Sequence, residues 1–468
     1  MLISFSIENF LSFDKKTEFS FRSGHVIKKP EHVYSFNKDK LKLLKFSIIY
    51  GKNGSGKTNL LKALLFIKKI ITTKNALQKT RSSYCRCNPH NSTAPSSFEI
   101  SFIINNSIYK YSLKVSLYNF TILEEQLFKI NNEKELTIFK YEKKSGYEFS
   151  NDINSEDIQI LSRNFDSSQQ SFIYYINTNA SSIFTRNKNS IILKQVFNWF
   201  DNTLEIIFPD KPVRETALSS VDKHFYLEEF TKLLNDFDTG ITEILTEPAS
   251  KDNIYKTITA FQQKQIDDYT RKAISDFKLK QQNQKNHSSS MFSIVFRSRN
   301  DICIMNLDNE GEPVYNHLLF VHEYNGITLK LTMAEESDGF YRLFQLIEIL
   351  LNRNEKVYII DEINRSLHPK LTAHFISKYL EYANDKKLQL LATSHETNLM
   401  NLELLRQDEI WIADLKADNS TSLFSLGDLK VRTDKVIDKN YLSNSWGGVP
   451  VFKDDFDLME FLTGNAKG

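Results

Sequence analysis

The sequence predicts an α/β fold, and three observations along its 468 residues support that prediction. A short apolar run near residue 50 leads through a glycine-rich loop into a helical pattern. A second apolar run, Val357 to Ile360, ends in two acidic residues. Between Ser96 and Leu117 apolar and polar residues alternate with period two, and Asn105-Asn106 lies at a turn, which predicts an antiparallel hairpin. Polar residues at the ends of buried strands are typical of ligand sites in parallel α/β sheets.

Composition excludes several classes of protein. The chain has 60 basic and 58 acidic residues, so a net charge of +2 gives no overall case for nucleic-acid or membrane-surface binding. The start, MLISFSIENFLSF, alternates like a strand and does not resemble a signal peptide, and no run of about 18 apolar residues occurs. Three cysteines, Cys85, Cys87 and Cys303, are expected to be free thiols in a reducing cytosol. We therefore expect a cytoplasmic protein without a membrane span.

The glycine-rich loop holds three of the chain's 14 glycines within six residues. Its sequence matches G-x-x-x-x-G-K-[ST] between a strand-like run, Leu44 to Tyr50, and a helical pattern, Asn59 to Thr72. In such a loop, backbone N–H groups and the helix N-terminus surround phosphates, the lysine adds a charge, and the threonine hydroxyl faces Mg²⁺. A chance glycine-rich turn is the alternative. The predicted nucleotide contacts are Gly51, Asn53, Gly54, Ser55, Gly56, Lys57, Thr58 and Asn59.

The acidic pair Asp361-Glu362 supplies two carboxylates that such a loop lacks, one for Mg²⁺ and one for the attacking water. We expect Asp361 to bind Mg²⁺, directly or through water, together with Thr58, and Glu362 to act as the base for the attacking water. The alternative is a strand that ends in two solvated acids. His395 closes the next strand-like run, Leu388 to Glu396, where a histidine can contact the γ-phosphate or orient water; a structural histidine is the alternative.

A helix with apolar spacing is predicted from Ser337-Asp338-Gly339 onward, with Ser337 as its N-cap and Asp338 in its first turn. One interpretation is a capped amphipathic helix and nothing more. The other is that Ser337, Asp338 and Gly339 form a second anion site, directed at a nucleotide held by another subunit.

The order of these motifs resembles the ABC-type ATPase superfamily in its SMC/RecF-like branch. FSIENFLSF resembles the first strand and turn of that branch, GKNGSGKTNLLKAL its Walker A, ESDGFYRLFQL its signature, IIDEINRSLHP its Walker B with D-loop, and ATSHE its switch-histidine loop. The stand-alone RloA-like ATPases, which include ATPase subunits of anti-phage systems of the AriA and PtuA types, are similar also at residues 431–450. Glu336 before Ser337 departs from the usual signature.

The resemblance implies an ABC-ATPase-type P-loop core with an antiparallel β subdomain and a mainly helical insert. The expected domains are residues 1–145, an N-terminal ATPase lobe; 146–290, the insert; 291–440, a C-terminal ATPase lobe; and 441–468, a tail. Residues 259–290 are expected to be a polar helix that runs into a flexible connector. The insert lacks sustained apolar heptads, so long coiled-coil arms are not expected.

The functional expectation is an ATPase that uses ATP and Mg²⁺ at the interface of a head-to-tail homodimer or a higher homo-oligomer. The resemblance further implies control of an effector protein, a nuclease or toxin, in bacterial anti-phage defence. The alternative is a RecF/SMC-like DNA-repair ATPase that binds DNA. A self-contained nuclease or toxin is a third hypothesis, and the roughly 70 residues after His395 are too few for a nuclease module of the TOPRIM type.

Overall fold

The computed structural model describes residues 1–26, 28–36, 40–78, 80–168, 170–179, 182–209, 223–282, 293–297, 302–383, 386–429 and 437–449. The chain forms two compact units. The P-loop unit comprises Leu2–Asn202 and Thr393–Gly468, and the central unit comprises Met1 and Thr203–Ala392. The expected connector at 283–290, the tail beyond residue 449, and residues 431–436 and 450 of the C-terminal stretch lie outside the described residues.

The first part of the P-loop unit contains strands β1 to β10 and helices α1 to α5. The strands are β1 Leu2–Glu8, β2 Thr17–Ser20, β3 Val33–Phe36, β4 Leu41–Leu44, β5 Phe46–Tyr50, β6 Ser96–Ile104, β7 Ser107–Ser116, β8 Thr121–Asn131, β9 Lys134–Glu142 and β10 Gly146–Phe149. The helices are α1 Lys57–Thr72, α2 Glu156–Arg163, α3 Phe172–Asn179, α4 Ile183–Arg186 and α5 Ile191–Asn198.

The central unit follows without interruption. Its strands are β11 Leu204–Ile207, β12 Ile241–Ala249, β13 Ser293–Arg297, β14 Ile302–Leu307, β15 Pro313–Tyr324, β16 Ile327–Leu331, β17 Lys356–Ile360 and β18 Leu388–Ser394, whose last two residues are counted with the P-loop unit. Its helices are α6 Lys223–Asp236, α7 Lys251–Thr257, α8 Ala260–Gln282, α9 Asp338–Leu351 and α10 Pro369–Tyr382. The chain then returns to the P-loop unit with β19 Ile410–Leu415, β20 Thr421–Ser425 and α11 Ile437–Leu442.

A seven-stranded antiparallel sheet dominates the P-loop unit, in the order β10-β9-β8-β7-β6-β1-β2. The predicted hairpin is confirmed, because β6 pairs antiparallel with β7 from Ser96↔Val115 to Ile104↔Ser107. Asn105 and Asn106 form its turn with φ of 48° and 62°, the left-handed values that a two-residue hairpin loop of type I′ requires and that asparagine tolerates. This sheet is the β subdomain expected from the sequence.

The same unit contains the strand that leads into the glycine-rich loop. All five residues of β5 are buried, and β5 pairs in parallel with β19, which pairs antiparallel with β20. Helix α1 follows the loop and buries an apolar face that includes Leu60, Leu61 and Leu64. The predicted strand-loop-helix sequence is confirmed, with the helix starting at Lys57, two residues before the predicted Asn59.

In the central unit, β17 pairs in parallel with β11 and with β18, so Ile360 lies opposite both Ile207 and Ala392. Strands β12 to β16 form a separate antiparallel sheet. Helices α7 and α8 contribute Ile254, Ile266 and Ala273 to a core shared with β14 and β15. Strand β17 is therefore hydrogen-bonded to a neighbouring strand on each side, and Asp361 comes directly after its carboxyl end.

The described residues of the span 146–290 are mainly helical, as expected, but they also include β10, β11 and β12. The division between the two units falls inside this span, at Asn202/Thr203. Strand β11 carries three apolar residues that pair in register with β17. Its place in the sheet therefore depends on a partner strand about 150 positions away along the chain. Such pairing leaves no local signal in the sequence.

Two further findings concern the composition. Cys85, Cys87 and Cys303 are thiols and none of them forms a disulfide, which confirms the expectation. Within the described ranges, no helix is both long and apolar enough to cross a bilayer.

Candidate functional site

The glycine-rich loop has a backbone that only glycine fits at two positions. Gly54 and Gly56 have φ of 80° and 99°, in the left-handed region where a Cβ is strained. A Cβ on Gly56 would also overlap the hydroxyl of Thr421, and one on Gly51 would overlap the carbonyl oxygen of Ala413. The loop is therefore tightly curled, and its glycines are there for close approach as well as for conformation.

Helix α1 begins inside the glycine-rich loop motif, at Lys57. Its N-cap is Gly56, whose carbonyl accepts the N–H of Leu60 at 3.1 Å, and no described side chain caps the helix. The first-turn N–H groups of a helix have no partners within the helix itself, and they carry the positive end of the helix dipole. Lys57 and Thr58 both lie in this first turn, so the helix presents donors and a hydroxyl at the loop.

The ammonium of Lys57 folds back over the loop. Its Nζ donates to the carbonyl oxygens of Gly51 at 2.5 Å and Lys52 at 3.1 Å. The positive charge thus lies at the curl of the loop. Backbone donors, a helix N-terminus and a lysine ammonium at one loop fit the phosphates of a nucleotide.

A hydrogen-bond network that the sequence did not indicate braces this loop from behind. The Thr421 hydroxyl donates to the Ser55 carbonyl at 2.9 Å and is hydrogen-bonded to the Ser12 hydroxyl at 2.7 Å. The Asn59 side-chain amide donates to the same Ser12 hydroxyl at 2.9 Å. Asn59, predicted to contact nucleotide, therefore ties the helix to the N-terminal turn. No local pattern identifies Ser12 or Thr421, because their partners are far away along the chain.

His395 lies in the P-loop unit, in the turn after β18, with its side chain exposed. The turn is held by the Ser394 hydroxyl, which accepts the N–H of Glu396 at 2.9 Å. Burial raises the pKa of Tyr50, the last residue of β5, and the charges of Tyr441 and Glu396 raise it further.

The acidic pair lies at the end of β17 in the central unit. Asp361 is buried, and its N–H donates to the carbonyl of Ile207 at 2.9 Å, which extends the pairing with β11 by one residue. Glu362 has a φ of 47°, a left-handed value that is unusual for glutamate, and its side chain is 42% exposed. The nearest Arg365 nitrogen is 3.9 Å from the Glu362 carboxylate. Asp361 is thus buried, whereas the side chain of Glu362 is partly exposed to solvent.

Arg342 of helix α9 holds the backbone of this pair. Its Nη2 donates to the carbonyl oxygens of Asp361 and Glu362, at 3.0 Å each. Burial and, to a smaller extent, the charge of Arg365 lower the pKa of Arg342 to about 10, while the two carboxylates oppose the shift. The guanidinium therefore remains charged at neutral pH. No local pattern indicates this role, because it depends on a turn 19 residues further along the chain.

The N-terminus of α9 matches the prediction for the signature stretch. Ser337 is the N-cap, and its hydroxyl accepts the N–H of Phe340 at 3.1 Å. A Cβ on Gly339 would lie 2.7 Å from the carbonyl oxygen of Ser366, so glycine is needed here for packing within the chain. Glu336, which departs from the usual signature, is hydrogen-bonded to His322 of β15 at 2.7 Å.

The structure thus assigns the predicted residues to two groups. The loop residues Gly51 to Asn59 and His395 belong to the P-loop unit. Ser337, Asp338, Gly339, Asp361 and Glu362 belong to the central unit, where α9 and the turn after β17 are in contact.

A glycine-rich loop with its lysine, between a buried strand and a helix, defines the class of protein as a P-loop NTPase with an α/β fold. The family model described as "AAA domain, putative AbiEii toxin, Type IV TA system" matches residues 46–401. Because this match covers well over half of the chain, the chain belongs to that family, a family of P-loop ATPases. No curated protein matches the chain in sequence.

Solved structures with similar folds include two SMC heads. The SMC head domain from Thermotoga maritima is 11% identical, with a TM-score of 0.34, over 91% of this chain and 98% of that chain. An SMC head bound to the C-terminal winged-helix domain of ScpA is 14% identical, with a TM-score of 0.39, over 91% of this chain and 97% of that chain. Both likenesses are too distant to bear on function.

Proposed function

We propose that this chain is an ABC-type ATPase that binds and hydrolyses ATP between two head-to-tail copies and thereby controls a partner effector, a nuclease or toxin, in bacterial anti-phage defence. The observation that carries the catalytic part is the curled loop with the Lys57 ammonium folded over it. The presence of Glu362 after a buried parallel strand supports hydrolysis as well as binding.

The proposed nucleotide contacts are the loop from Gly51 to Gly56 and the first turn of α1. Left-handed glycines turn N–H groups inward, and Lys57 adds a full charge close to them. These groups favour a polyphosphate over a neutral ligand, because every one of them is a donor or a cation.

Thr58 and Asp361 would hold Mg²⁺, because a hydroxyl and a carboxylate are oxygen ligands of the kind that this ion prefers. The ion, when bound, neutralises charge on the phosphates. Glu362 is the proposed base: its exposed carboxylate accepts the proton of the attacking water. His395 is proposed to contact the γ-phosphate from the turn after β18, where its side chain is exposed.

Ser337, Asp338 and Gly339 are proposed to cover the nucleotide of the second copy. Their place at the N-terminus of a 14-residue helix supports this role, since such an end attracts anions. Because the Ser337 hydroxyl already caps the helix, this end makes a weaker anion site than the loop, and it contributes only when two copies meet.

The defence role is supported by the family description, which names a toxin of a toxin–antitoxin system, and by the resemblance to ATPase subunits of anti-phage systems. We assign the toxic chemistry to a partner and the ATPase to this chain. The DNA-repair role remains the alternative.

ATP hydrolysis by the wild type and by Glu362→Gln tests the catalytic part. We expect hydrolysis to fall by about 100- to 10,000-fold in the variant while nucleotide binding persists, since only the base is removed. No hydrolysis by the wild type, or equal rates in both, contradicts the proposal.

Affinity capture of Glu362→Gln in Mg·ATP from native cells, followed by phage challenge, tests the biological part. The matched control is Glu362→Gln with Lys57→Ala, which is expected to bind ATP about 100-fold more weakly and is captured at an ATP concentration that leaves it mostly empty. A nuclease or toxin recovered only with the first protein, and loss of phage resistance when the gene is disrupted, would support the proposal. Capture of DNA and repair factors would favour the alternative, and toxicity of this chain expressed alone would place the toxic activity in the chain itself.

A further inference from the structure

The charged guanidinium of Arg342 is buried, which is unusual for an arginine. The residue is only 5% exposed, yet its partners among the described residues are neutral: the carbonyl oxygens of Asp361 and Glu362 and, at 3.3 Å, the side-chain oxygen of Gln345. Its Nε is buried, and no described atom accepts a hydrogen bond from it. Burying a charge without an ion pair is costly, and an apolar side chain would fill the same space without that cost. Packing alone therefore does not explain an arginine here.

The two carbonyls that Arg342 binds lie on either side of one residue. The Asp361 carbonyl belongs to the peptide before the Cα of Glu362, and the Glu362 carbonyl belongs to the peptide after it. One nitrogen, Nη2, thus fixes both peptide planes. Between them Glu362 has a φ of 47°, a conformation that costs an L-residue about 1–2 kcal/mol. The direction of the Glu362 side chain follows from this backbone, so Arg342 determines where the carboxylate points.

A second contact of the same helix supports this geometry. Gly339 lies three residues before Arg342, on the same face of α9, and packs against the carbonyl of Ser366. Helix α9 therefore contacts the turn at two places, through Arg342 at Asp361-Glu362 and through Gly339 at Ser366. These two contacts hold the backbone of the turn that carries Glu362.

We propose that Arg342 is a positioning residue for the hydrolysis of ATP, acting through the backbone of Glu362 to orient its carboxylate toward the attacking water. The proposal rests on the proposed function, in which Glu362 is the base. It assigns no contact between Arg342 and the nucleotide. It therefore predicts an effect on the chemical step and none on nucleotide affinity.

Steady-state hydrolysis and equilibrium ATP binding of Arg342→Met test the proposal. We expect kcat to fall by about 10- to 100-fold, as a misplaced catalytic group does, with the dissociation constant for ATP unchanged within about twofold. The control is Arg353→Met, which removes an exposed arginine two residues after the end of α9 and is expected to keep the wild-type rate. Arg342→Lys keeps the charge and one donor but cannot bridge two carbonyls in the same way, so we expect an intermediate kcat.

Combination with Glu362→Gln separates positioning from a general structural role. If Arg342 acts through the Glu362 carboxylate, Arg342→Met should lower the residual single-turnover rate of Glu362→Gln by less than about twofold, although it lowers the wild-type rate tenfold or more. A structural defect would lower both rates by the same factor. Far-UV circular dichroism and thermal unfolding of each variant show whether the fold is kept, and if Arg342→Met does not fold, Arg342→Lys takes its place in the cycle.

Each outcome decides between the claims. A wild-type rate in Arg342→Met, equal losses in both backgrounds, or a loss of ATP affinity that matches the loss of rate overturns the role of Arg342 while the proposed function stands. A wild type that does not hydrolyse ATP overturns the proposed function, and the role of Arg342 with it.

Discussion

Helices α1 and α9 both begin beside a glycine, yet their first turns are completed in different ways. Helix α1 has Gly56 as its N-cap and no described side-chain cap, and a lysine lies in its first turn. Helix α9 has Ser337 as its N-cap, with the serine hydroxyl bonded to a first-turn N–H, and an aspartate in its first turn. Glu335, whose pKa is lowered by hydrogen bonds from Thr332, adds a further negative charge before this helix.

The difference shows that a glycine near a helix N-terminus does not have one meaning. At Gly56 it allows a left-handed curl around which donors and a cation gather. At Gly339 it allows the helix to approach the carbonyl of Ser366. We infer that the α1 end binds the anion by itself, and that the α9 end, capped and flanked by acids, contributes only within an assembly.

Removing the Lys57 ammonium from the N-terminus of α1 should have the largest effect of the changes considered, and the effect should be on ATP affinity. Lys57→Ala is expected to weaken ATP binding by about 100-fold, because a charged hydrogen-bond donor to phosphate is worth up to about 3 kcal/mol. Isothermal titration calorimetry measures this directly. The control is Lys62→Ala, which removes an exposed lysine from the same helix and should leave the affinity unchanged. Equal ATP affinities of Lys57→Ala and the wild type would show that the N-terminus of α1 is not the anion site.

Adding a methyl group at Gly56 or at Gly339 tests the two roles of glycine separately. Gly56→Ala combines left-handed backbone strain with overlap against Thr421, and we expect a loss of about 3 kcal/mol in the free energy of unfolding. Gly339→Ala meets only the Ser366 carbonyl, and we expect a loss of about 2 kcal/mol. Denaturant unfolding gives both values. A Gly339→Ala protein with wild-type stability would show that the close approach to Ser366 is not needed.

The smallest effect on stability is expected from a change of Ser337, the N-cap of α9. Ser337→Ala should cost about 1 kcal/mol of stability, the usual value of a lost cap, whereas Ser337→Asp keeps a capping oxygen and should cost less. The two variants separate capping from anion binding, because the added carboxylate repels a phosphate. If Ser337 only caps the helix, Ser337→Asp should hydrolyse ATP like the wild type. If it covers the nucleotide of a second copy, Ser337→Asp should be stable and inactive.

How far the sequence predicts this molecule depends on how local each signal is. The strand, loop and helix around Lys57 are contiguous, and Ser337 caps a helix that begins beside it, so both were predictable from residues next to each other. The predicted helix start, Asn59, lies two residues after the observed start at Lys57, because the apolar spacing begins only after the first residues of the helix.

The contacts that position these elements were not predictable in the same way. Ser12 and Thr421 brace the loop from distant segments of the chain, and Arg342 binds a turn that follows another strand. Strand β11 lies in a span that reads as polar and helical, and only its pairing with β17 defines it as a strand. Each of these depends on tertiary pairing, which local periodicity does not encode.

We propose that ATP joins two copies of this chain through the N-terminus of α9. Light scattering of Glu362→Gln, with and without Mg·ATP, measures whether the two copies join. We predict that the mass rises on addition of Mg·ATP from the 54.5 kDa of one protomer to twice that value, and that Glu362→Gln with Ser337→Asp stays at one protomer while it still binds ATP. A mass that does not change with nucleotide, in a sample that calorimetry shows to be saturated with ATP, would show that ATP does not join two copies.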